Sequence, residues 1–337
     1  MSTSPVTASP VTASPVTASP ATASPASAPA GAAAPPARPG SGQPERRPWT
    51  AVLLVLGSCA SLQGGAALAV RLFPVAGSSG ATLLRVGLAA VLLLAATRPR
   101  VRGWRREQWR AVVLYGISIA GTNGFFYAAL ARLPLGTAVT IQFLGPLTLS
   151  AVLSRRPRDV GWVLLAVTGV LTLGLADSRG GAGGHALNGV GVAFVLISAA
   201  FWALYILAGA RVSVAVPGRG GLAVGMTVAA VALVPAGALG AGQAAARPHL
   251  LLIALGMAVL ASVVPYTLEL AAMRRAPRRV FGILLSLEPA VATLAGWLLL
   301  GQRAAPAAVA AVVLVVVSST GSALSAAGPA TQPPAAA

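Results

Sequence analysis

The sequence predicts an all-α membrane protein of ten transmembrane helices arranged as two inverted five-helix repeats. Three observations carry this prediction. The 337-residue chain is 56% hydrophobic and only 9% charged, whereas soluble domains contain roughly a quarter charged residues. Ten apolar runs are long enough to span a bilayer, and the arginines are concentrated in every second loop between them. These patterns exclude an ordinary soluble domain.

The first 48 residues differ in composition from everything that follows. The pentad SPVTA repeats from Ser4 and then becomes SPATA at Ser19. A segment of alanine, proline, serine and threonine cannot bury a core, so residues 1–48 are predicted to be a disordered tail. This segment lacks the basic start and apolar centre of a signal peptide. Residues 327–337 are predicted to be a second disordered tail.

Each apolar run is predicted to be a helix, because a bilayer offers no water to backbone N–H and C=O groups. About 20 residues at a rise of 1.5 Å per residue cross a hydrocarbon core of about 30 Å. The runs lie near residues 50–70, 80–97, 109–131, 135–154, 159–176, 188–210, 221–241, 249–272, 280–301 and 305–326.

The arginines orient this bundle in the membrane. All 24 basic residues are arginines; eighteen lie in the N-terminal tail and the loops after the second, fourth, sixth and eighth spans, and five in the alternate loops. Because cytoplasmic loops are enriched in basic residues, both termini are predicted to be cytoplasmic. The net charge of +18 is therefore expected to face anionic lipid head groups, with no nucleic acid as partner.

Two proline pairs indicate an internal repeat. Pro134 and Pro146 lie around the start of the fourth span, and Pro277 and Pro289 lie 143 residues later around the ninth. This offset corresponds to five helices. Because five is odd, the second copy enters the membrane from the opposite side, as in secondary transporters with a site at the repeat interface. The predicted repeats are residues 49–176 and 186–326.

Glu288 is the strongest candidate for a functional residue. It lies in LLSLEPA (284–290), inside the ninth span, where an ionised carboxylate costs roughly 2.5–3.5 kcal/mol on insertion scales. Pro289 removes the hydrogen bond that the Leu285 carbonyl would accept, so the helix is predicted to open beside the carboxylate. Such a place suits a proton, a cation or an ammonium group. The alternative is a carboxyl that only joins helices, either protonated or paired with an arginine.

Two further charged residues lie within predicted spans. Glu269 follows Tyr266 by three residues in PYTLEL, so both can share one helix face. Glu269 is predicted either to belong to the site or to form an interfacial ion pair with Arg274 or Arg275. Arg85 lies inside the second span and is predicted to extend to the lipid head groups, with an interior role as the alternative.

Uncharged polar residues complete the set of candidate substrate-binding residues. The set is Gln63, Asn123, Tyr127, Gln142, Trp202, Tyr205, Tyr266, Glu269 and Glu288. For each of the uncharged members, packing or hydrogen bonding between helices is the competing explanation. The single cysteine and the two widely separated histidines indicate neither a disulfide nor a metal site. The sequence contains no P-loop, nucleophile elbow or HExxH motif, so it predicts no cofactor and no catalytic residue.

Several segments resemble a known family. They are SLQGGAALAVRLFP (61–74), FYAALARLPLGTAVTIQFLGPL (126–147), SRRP (154–157), FWALYILAG (201–209), PYTLELAAM (265–273) and FGILLSLEPA (281–290). In this order and spacing they resemble the EamA-type drug/metabolite transporters, and more closely the threonine/homoserine exporter branch. The resemblance extends from residue 50 to about residue 326. Gln142 and Gln302 depart from it, because the family pattern has glutamate at both positions.

The resemblance implies export of small neutral amino acids such as threonine or homoserine across a bacterial inner membrane. It implies alternating access and exchange with protons, so an amino acid and protons are the expected partners. On this interpretation Glu288 alternates between a proton and the ammonium group of the substrate. The alternatives are export of another metabolite or drug, a non-transporting membrane protein, and an intramembrane enzyme. The sequence predicts that the protein is not an enzyme.

Overall fold

The computed structural model of the chain describes residues 48–154, 157–178, 188–216, 220–273 and 278–326, and the predicted tails lie almost entirely outside these ranges. Its helices are α1 (Pro48–Thr97), α2 (Arg106–Leu130), α3 (Leu135–Gln142), α4 (Leu144–Ser154), α5 (Pro157–Ser178), α6 (Gly189–Ala215), α7 (Gly220–Ala245), α8 (Pro248–Ala258), a π-helix (Val259–Val263), α9 (Val264–Met273), α10 (Arg278–Leu285), α11 (Glu288–Leu300) and α12 (Pro306–Ala326). The predicted all-α membrane fold is confirmed.

The helix α1 contains two of the predicted spans. It has 50 residues, which would extend about 75 Å if straight, more than twice the thickness of a hydrocarbon core. Gly77 divides it, because its backbone is non-helical with φ 65° and ψ 173°. A positive φ is readily adopted by glycine, which has no Cβ. The first half of α1 (48–76) therefore corresponds to the predicted span one, and the second half (78–97) to span two.

Eight helical segments of the described chain are long and apolar enough to cross a bilayer, with α1 counted once. The predicted fifth span, α5, is not among them, so the count of ten stays a prediction. Large apolar side chains on the outside of the bundle fit a lipid environment. Val214 and Leu239, for example, are each 87% exposed, which water would disfavour but acyl chains would not.

The helices pack in five pairs, three of which join spans that are five apart in the chain. The second half of α1 packs on α7, α3 on α11, and α5 on α12. The first half of α1 packs on α8 and α9, and α2 packs on α6. In span numbers the first three pairs are 2 with 7, 4 with 9 and 5 with 10, and the last two are 1 with 8 and 3 with 6. If each span is replaced by the one five positions away, the first three pairs are unchanged and the last two become each other. This pattern supports the predicted five-plus-five repeat, which remains a prediction.

Glycines permit the closest of these helix contacts. A Cβ on Gly80 would lie 2.7 Å from the backbone nitrogen of Ala241 and 2.8 Å from the carbonyl carbon of Gly240. On the same helix, a Cβ on Gly87 would meet no atom within 4 Å. Small residues let transmembrane backbones approach each other closely, so the contact between the second half of α1 and α7 depends on Gly80.

The substitution Gly80→Ala is expected to destabilise the bundle by about 1–3 kcal/mol, because the methyl group meets backbone that cannot move aside. The matched control Gly87→Ala is expected to leave stability unchanged or raise it by up to about 1 kcal/mol through helix propensity. Thermal melting of both purified variants in the same detergent measures the difference. Equal melting temperatures would contradict the packing described for Gly80.

Candidate functional site

The ninth span is interrupted at LLSLEPA, as predicted. Helix α10 ends at Leu285, Ser286 and Leu287 form a turn, and α11 begins at Glu288. Pro289 has no N–H, so it cannot donate to the Leu285 carbonyl. The Glu288 carboxyl group therefore lies at the N-terminus of a half-helix, where the helix dipole favours negative charge.

The fourth span contains the matching interruption. Helix α3 ends at Gln142, Phe143 separates it from α4, and Pro146 lies in the first turn of α4. Gly145 occupies the position that corresponds to Glu288, and a side chain there would collide with the Ala199 carbonyl oxygen of α6. The first interruption is thus closed by backbone packing and has no room for a carboxylate.

Gln63 and Glu288 form a buried pair. The Gln63 Nε2 atom donates a hydrogen bond to Glu288 Oε1 at 3.2 Å. Gln63 is 2% exposed and Glu288 is 7% exposed. The described partner of this buried carboxyl group is a neutral amide, and no described cationic side chain forms an ion pair with it. Such a group can hold a proton or a cation.

Glu269 contacts the same half of α1. Ser58 Oγ donates to Glu269 Oε1 at 2.8 Å and lies 3.4 Å from the Pro265 carbonyl oxygen. The ion pair predicted for Glu269 involves Arg274 or Arg275, which lie outside the described residues. The hydroxyl of Ser58 therefore joins α1 to α9 at the second acidic residue of the bundle interior.

The π-helix between α8 and α9 offers two carbonyl oxygens to side chains of α1. Ser61 Oγ donates to the Leu260 carbonyl at 2.7 Å, and Arg85 Nη2 donates to the Ala261 carbonyl at 3.1 Å. In an α-helix the Ala261 carbonyl would accept from residue 265, but Pro265 has no N–H. A Cβ on Gly65 would lie 2.7 Å from the Ala261 Cβ, so Gly65 allows α1 to approach this turn.

The prediction that Arg85 extends to the head groups is wrong. Its Nη1 atom donates to the Tyr127 hydroxyl at 3.1 Å, and its guanidinium lies 5.5 Å from the centroid of the Tyr127 ring. Tyr127 is fully buried and packs edge-on against Phe73 at 6.0 Å between ring centroids. Arg85 therefore points into the bundle and joins the second half of α1 to α2 and the π-helix.

Two further candidates lie beside the interruption of the fourth span. Gln142 Nε2 donates to Ser198 Oγ at 2.7 Å, and Ser198 in turn donates to the Thr122 carbonyl at 2.7 Å. The Trp202 ring packs edge-on against Phe143 at 5.2 Å. This polar and aromatic cluster connects α3 to α6 and to α2.

Asn123 and Tyr205 have their described contacts away from Glu288. Asn123 Nδ2 donates to the Ile119 carbonyl of its own helix at 2.8 Å. Tyr205 stacks on Tyr115 at 5.1 Å, within a second apolar cluster formed with α2 and α7. The side chain of Tyr266 lies outside the described residues.

Sequence reasoning missed the hydroxyl groups of Ser58, Ser61 and Ser198. Serine is common in transmembrane helices, so composition alone gave no reason to select these three. Their only signal is spacing, since Ser58 and Ser61 are three residues apart and can share one helix face. That face meets α8, the π-helix and α9.

Comparison with known proteins agrees with this fold. The profile of the EamA-like transporter family matches residues 189–324. The threonine/homoserine exporter RhtA of Escherichia coli (strain K12) is 39% identical over 279 residues, which cover 82% of this chain and 92% of the relative. The exporter of the same name from Salmonella typhimurium (strain LT2) is 40% identical over 257 residues, covering 75% of this chain and 84% of the relative.

A crystal structure of a protein that is 21% identical superposes with a TM-score of 0.55, over 82% of this chain and 97% of the other. At this identity the likeness supports the fold alone.

The relatives are membrane exporters, so this chain is a multi-pass membrane transporter and not an enzyme. The chain belongs to the EamA-like transporter family, in its threonine/homoserine exporter branch.

Proposed function

We propose that this protein exports small neutral amino acids such as threonine or homoserine across the bacterial inner membrane in exchange for protons. The observation that carries the proposal is the buried Gln63–Glu288 pair at the interruption of the ninth span. The names of the relatives supply the substrate class. The carboxyl group supplies the chemistry, because it can hold either a proton or an ammonium group.

The exchange follows from competition at Glu288. A protonated carboxyl group is neutral and tolerates burial, whereas an ionised one needs a cation beside it. A substrate ammonium group can therefore bind only as the proton leaves, and the proton returns only as the substrate leaves. Strict competition of this kind links export of one species to import of the other when the site opens alternately to each side.

Two halves of five helices would move relative to each other during this cycle. The pairing of helices five spans apart supports halves at residues 49–176 and 186–326, and the family profile covers most of the second half. Helices α3 and α11, which flank the interruptions after Gln142 and before Glu288, contact each other, and this supports a site between the proposed halves. Interrupted helices in the middle of a span are characteristic of transporter sites at a repeat interface.

A second candidate function is export of a different metabolite or drug. It is favoured by the neutral Gln142–Ser198 hydrogen bond at a position where the family pattern has an acid. Losing a titratable group there would alter either the substrate or the number of protons exchanged. Competition of labelled threonine with a panel of amino acids and dyes separates the two candidates.

The substitution Glu288→Gln is expected to remove the response of transport to a pH gradient. In everted vesicles, threonine uptake driven by an acidic interior should fall roughly tenfold or more, because a hydrogen bond to a charged group contributes about 1.5–3 kcal/mol. Glu107→Gln is the matched control, since Glu107 is exposed at the start of α2. A Glu288→Gln transporter that still follows the pH gradient would rule out this residue as the coupling group.

If both termini are cytoplasmic, the loop after the second span faces the cytoplasm and the loop after the seventh span faces the periplasm. Arg247→Cys should react with a membrane-impermeant maleimide in intact spheroplasts, whereas Arg102→Cys should react only after permeabilisation. Both arginines are exposed, and Cys59 is 1% exposed, so the native thiol should give little background. The opposite labelling pattern would place the termini outside the cytoplasm.

A further inference from the structure

Arg85 carries a charge that the described structure leaves uncompensated. It lies inside the second span, and its two hydrogen-bond acceptors are the neutral Tyr127 hydroxyl and the Ala261 carbonyl. Among the residues that the structure describes, no carboxylate forms an ion pair with Arg85. An arginine in the middle of a transmembrane helix costs roughly 2.5–3.5 kcal/mol on insertion scales, so an unpaired one indicates a function.

Within the spans, the carboxylates whose side chains the structure describes are engaged elsewhere. Glu288 accepts from Gln63 and Glu269 accepts from Ser58. Asp159 accepts from Ser154, at the other end of the bundle from Tyr127 in the predicted topology. Among the side chains that the structure describes, none therefore supplies the anion that would balance Arg85.

Arg85 and Tyr127 together present hydrogen-bond donors. A guanidinium has five N–H groups, of which the structure assigns two to acceptors. Because the Tyr127 oxygen accepts from Arg85, its own hydrogen remains able to donate. A planar guanidinium beside a phenol is well suited to a carboxylate, which accepts two or more hydrogen bonds in one plane.

We propose that Arg85 and Tyr127 bind the carboxylate group of the transported amino acid. The inference rests on the proposed function, which provides a substrate with a carboxylate at one end and an ammonium group at the other. Glu288 would receive the ammonium group and Arg85 the carboxylate, so the buried Glu288 and the half-buried Arg85 would each be balanced by one end of the substrate. Recognition of both ends selects amino acids against amines and organic acids.

The two charged groups lie at similar depth in the bundle. Gln63 contacts Glu288, and Gly65 meets Ala261, whose carbonyl accepts from Arg85. Gln63 and Gly65 are two residues apart, which is about 3 Å along the helix axis. Both contacts are therefore fixed by the same turn of the first half of α1.

In this structure the Ala261 carbonyl accepts a hydrogen bond from Arg85. It is available because Pro265 cannot donate to it. A carboxylate is a stronger acceptor for a guanidinium than a carbonyl, so substrate can displace this bond. Binding would then release the π-helix from the second half of α1, which provides a link between substrate and helix movement.

The test compares threonine with threoninol, in which a hydroxymethyl group replaces the carboxylate. Binding of both compounds is measured on the purified full-length protein in nanodiscs. Arg85→Gln is expected to weaken threonine binding roughly tenfold or more and to change threoninol binding by less than about twofold. Tyr127→Phe keeps the buried ring, and it is expected to weaken threonine binding in the same selective way by a smaller factor.

Arg132→Gln is the matched control, because Arg132 is an exposed arginine at the end of α2 whose Nη1 donates to the Ala128 carbonyl of the same helix. If Arg85→Gln fails to fold, the selective effect of Tyr127→Phe decides alone. Equal weakening of both compounds, or no weakening of threonine binding, would overturn the carboxylate assignment. A wild-type protein that binds neither threonine nor homoserine would instead overturn the proposed function.

Discussion

The structure depends on the need to satisfy every backbone polar group inside a bilayer. A proline within a helix leaves one backbone carbonyl without its helical N–H donor, so that carbonyl needs another partner. Pro146, Pro265 and Pro289 do so within spans four, eight and nine. At Pro265 the freed Ala261 carbonyl accepts from Arg85, and at Pro289 the interruption places Glu288 at a helix start. The charged residues of the interior are thus located where the backbone is open.

The first half of α1 is the element around which these openings are arranged. Ser58 and Ser61 donate to the eighth span, Gln63 donates to Glu288 in the ninth, and Gly65 lies against Ala261. Four positions within about two helical turns therefore connect the first predicted repeat to the second. A change in the tilt or rotation of this helix would alter all four contacts together, which is the property that alternating access requires.

Much of this arrangement could be predicted from the sequence, but the direction in which side chains point could not. Hydropathy predicted the all-helical membrane fold, and Pro289 predicted the interruption of the ninth span, since these features depend on local chemistry alone. The Gln63–Glu288 pair joins residues 225 positions apart, and no local pattern indicates such a contact. Arg85 was assigned to the head groups because depth along a helix does not reveal the face it occupies. The structure supplies that information, because Ala81 and Ala89, about one turn on either side of Arg85, are both fully buried.

The central claim is that a proton and a substrate ammonium group compete for Glu288. The most direct measurement is proton release when threonine is added to the purified transporter in weakly buffered detergent solution near neutral pH. The claim predicts a proton released for each threonine bound by the wild type and by Glu107→Gln, and none by Glu288→Gln. Release that persists in Glu288→Gln, or threonine binding to the wild type without any release, would contradict it.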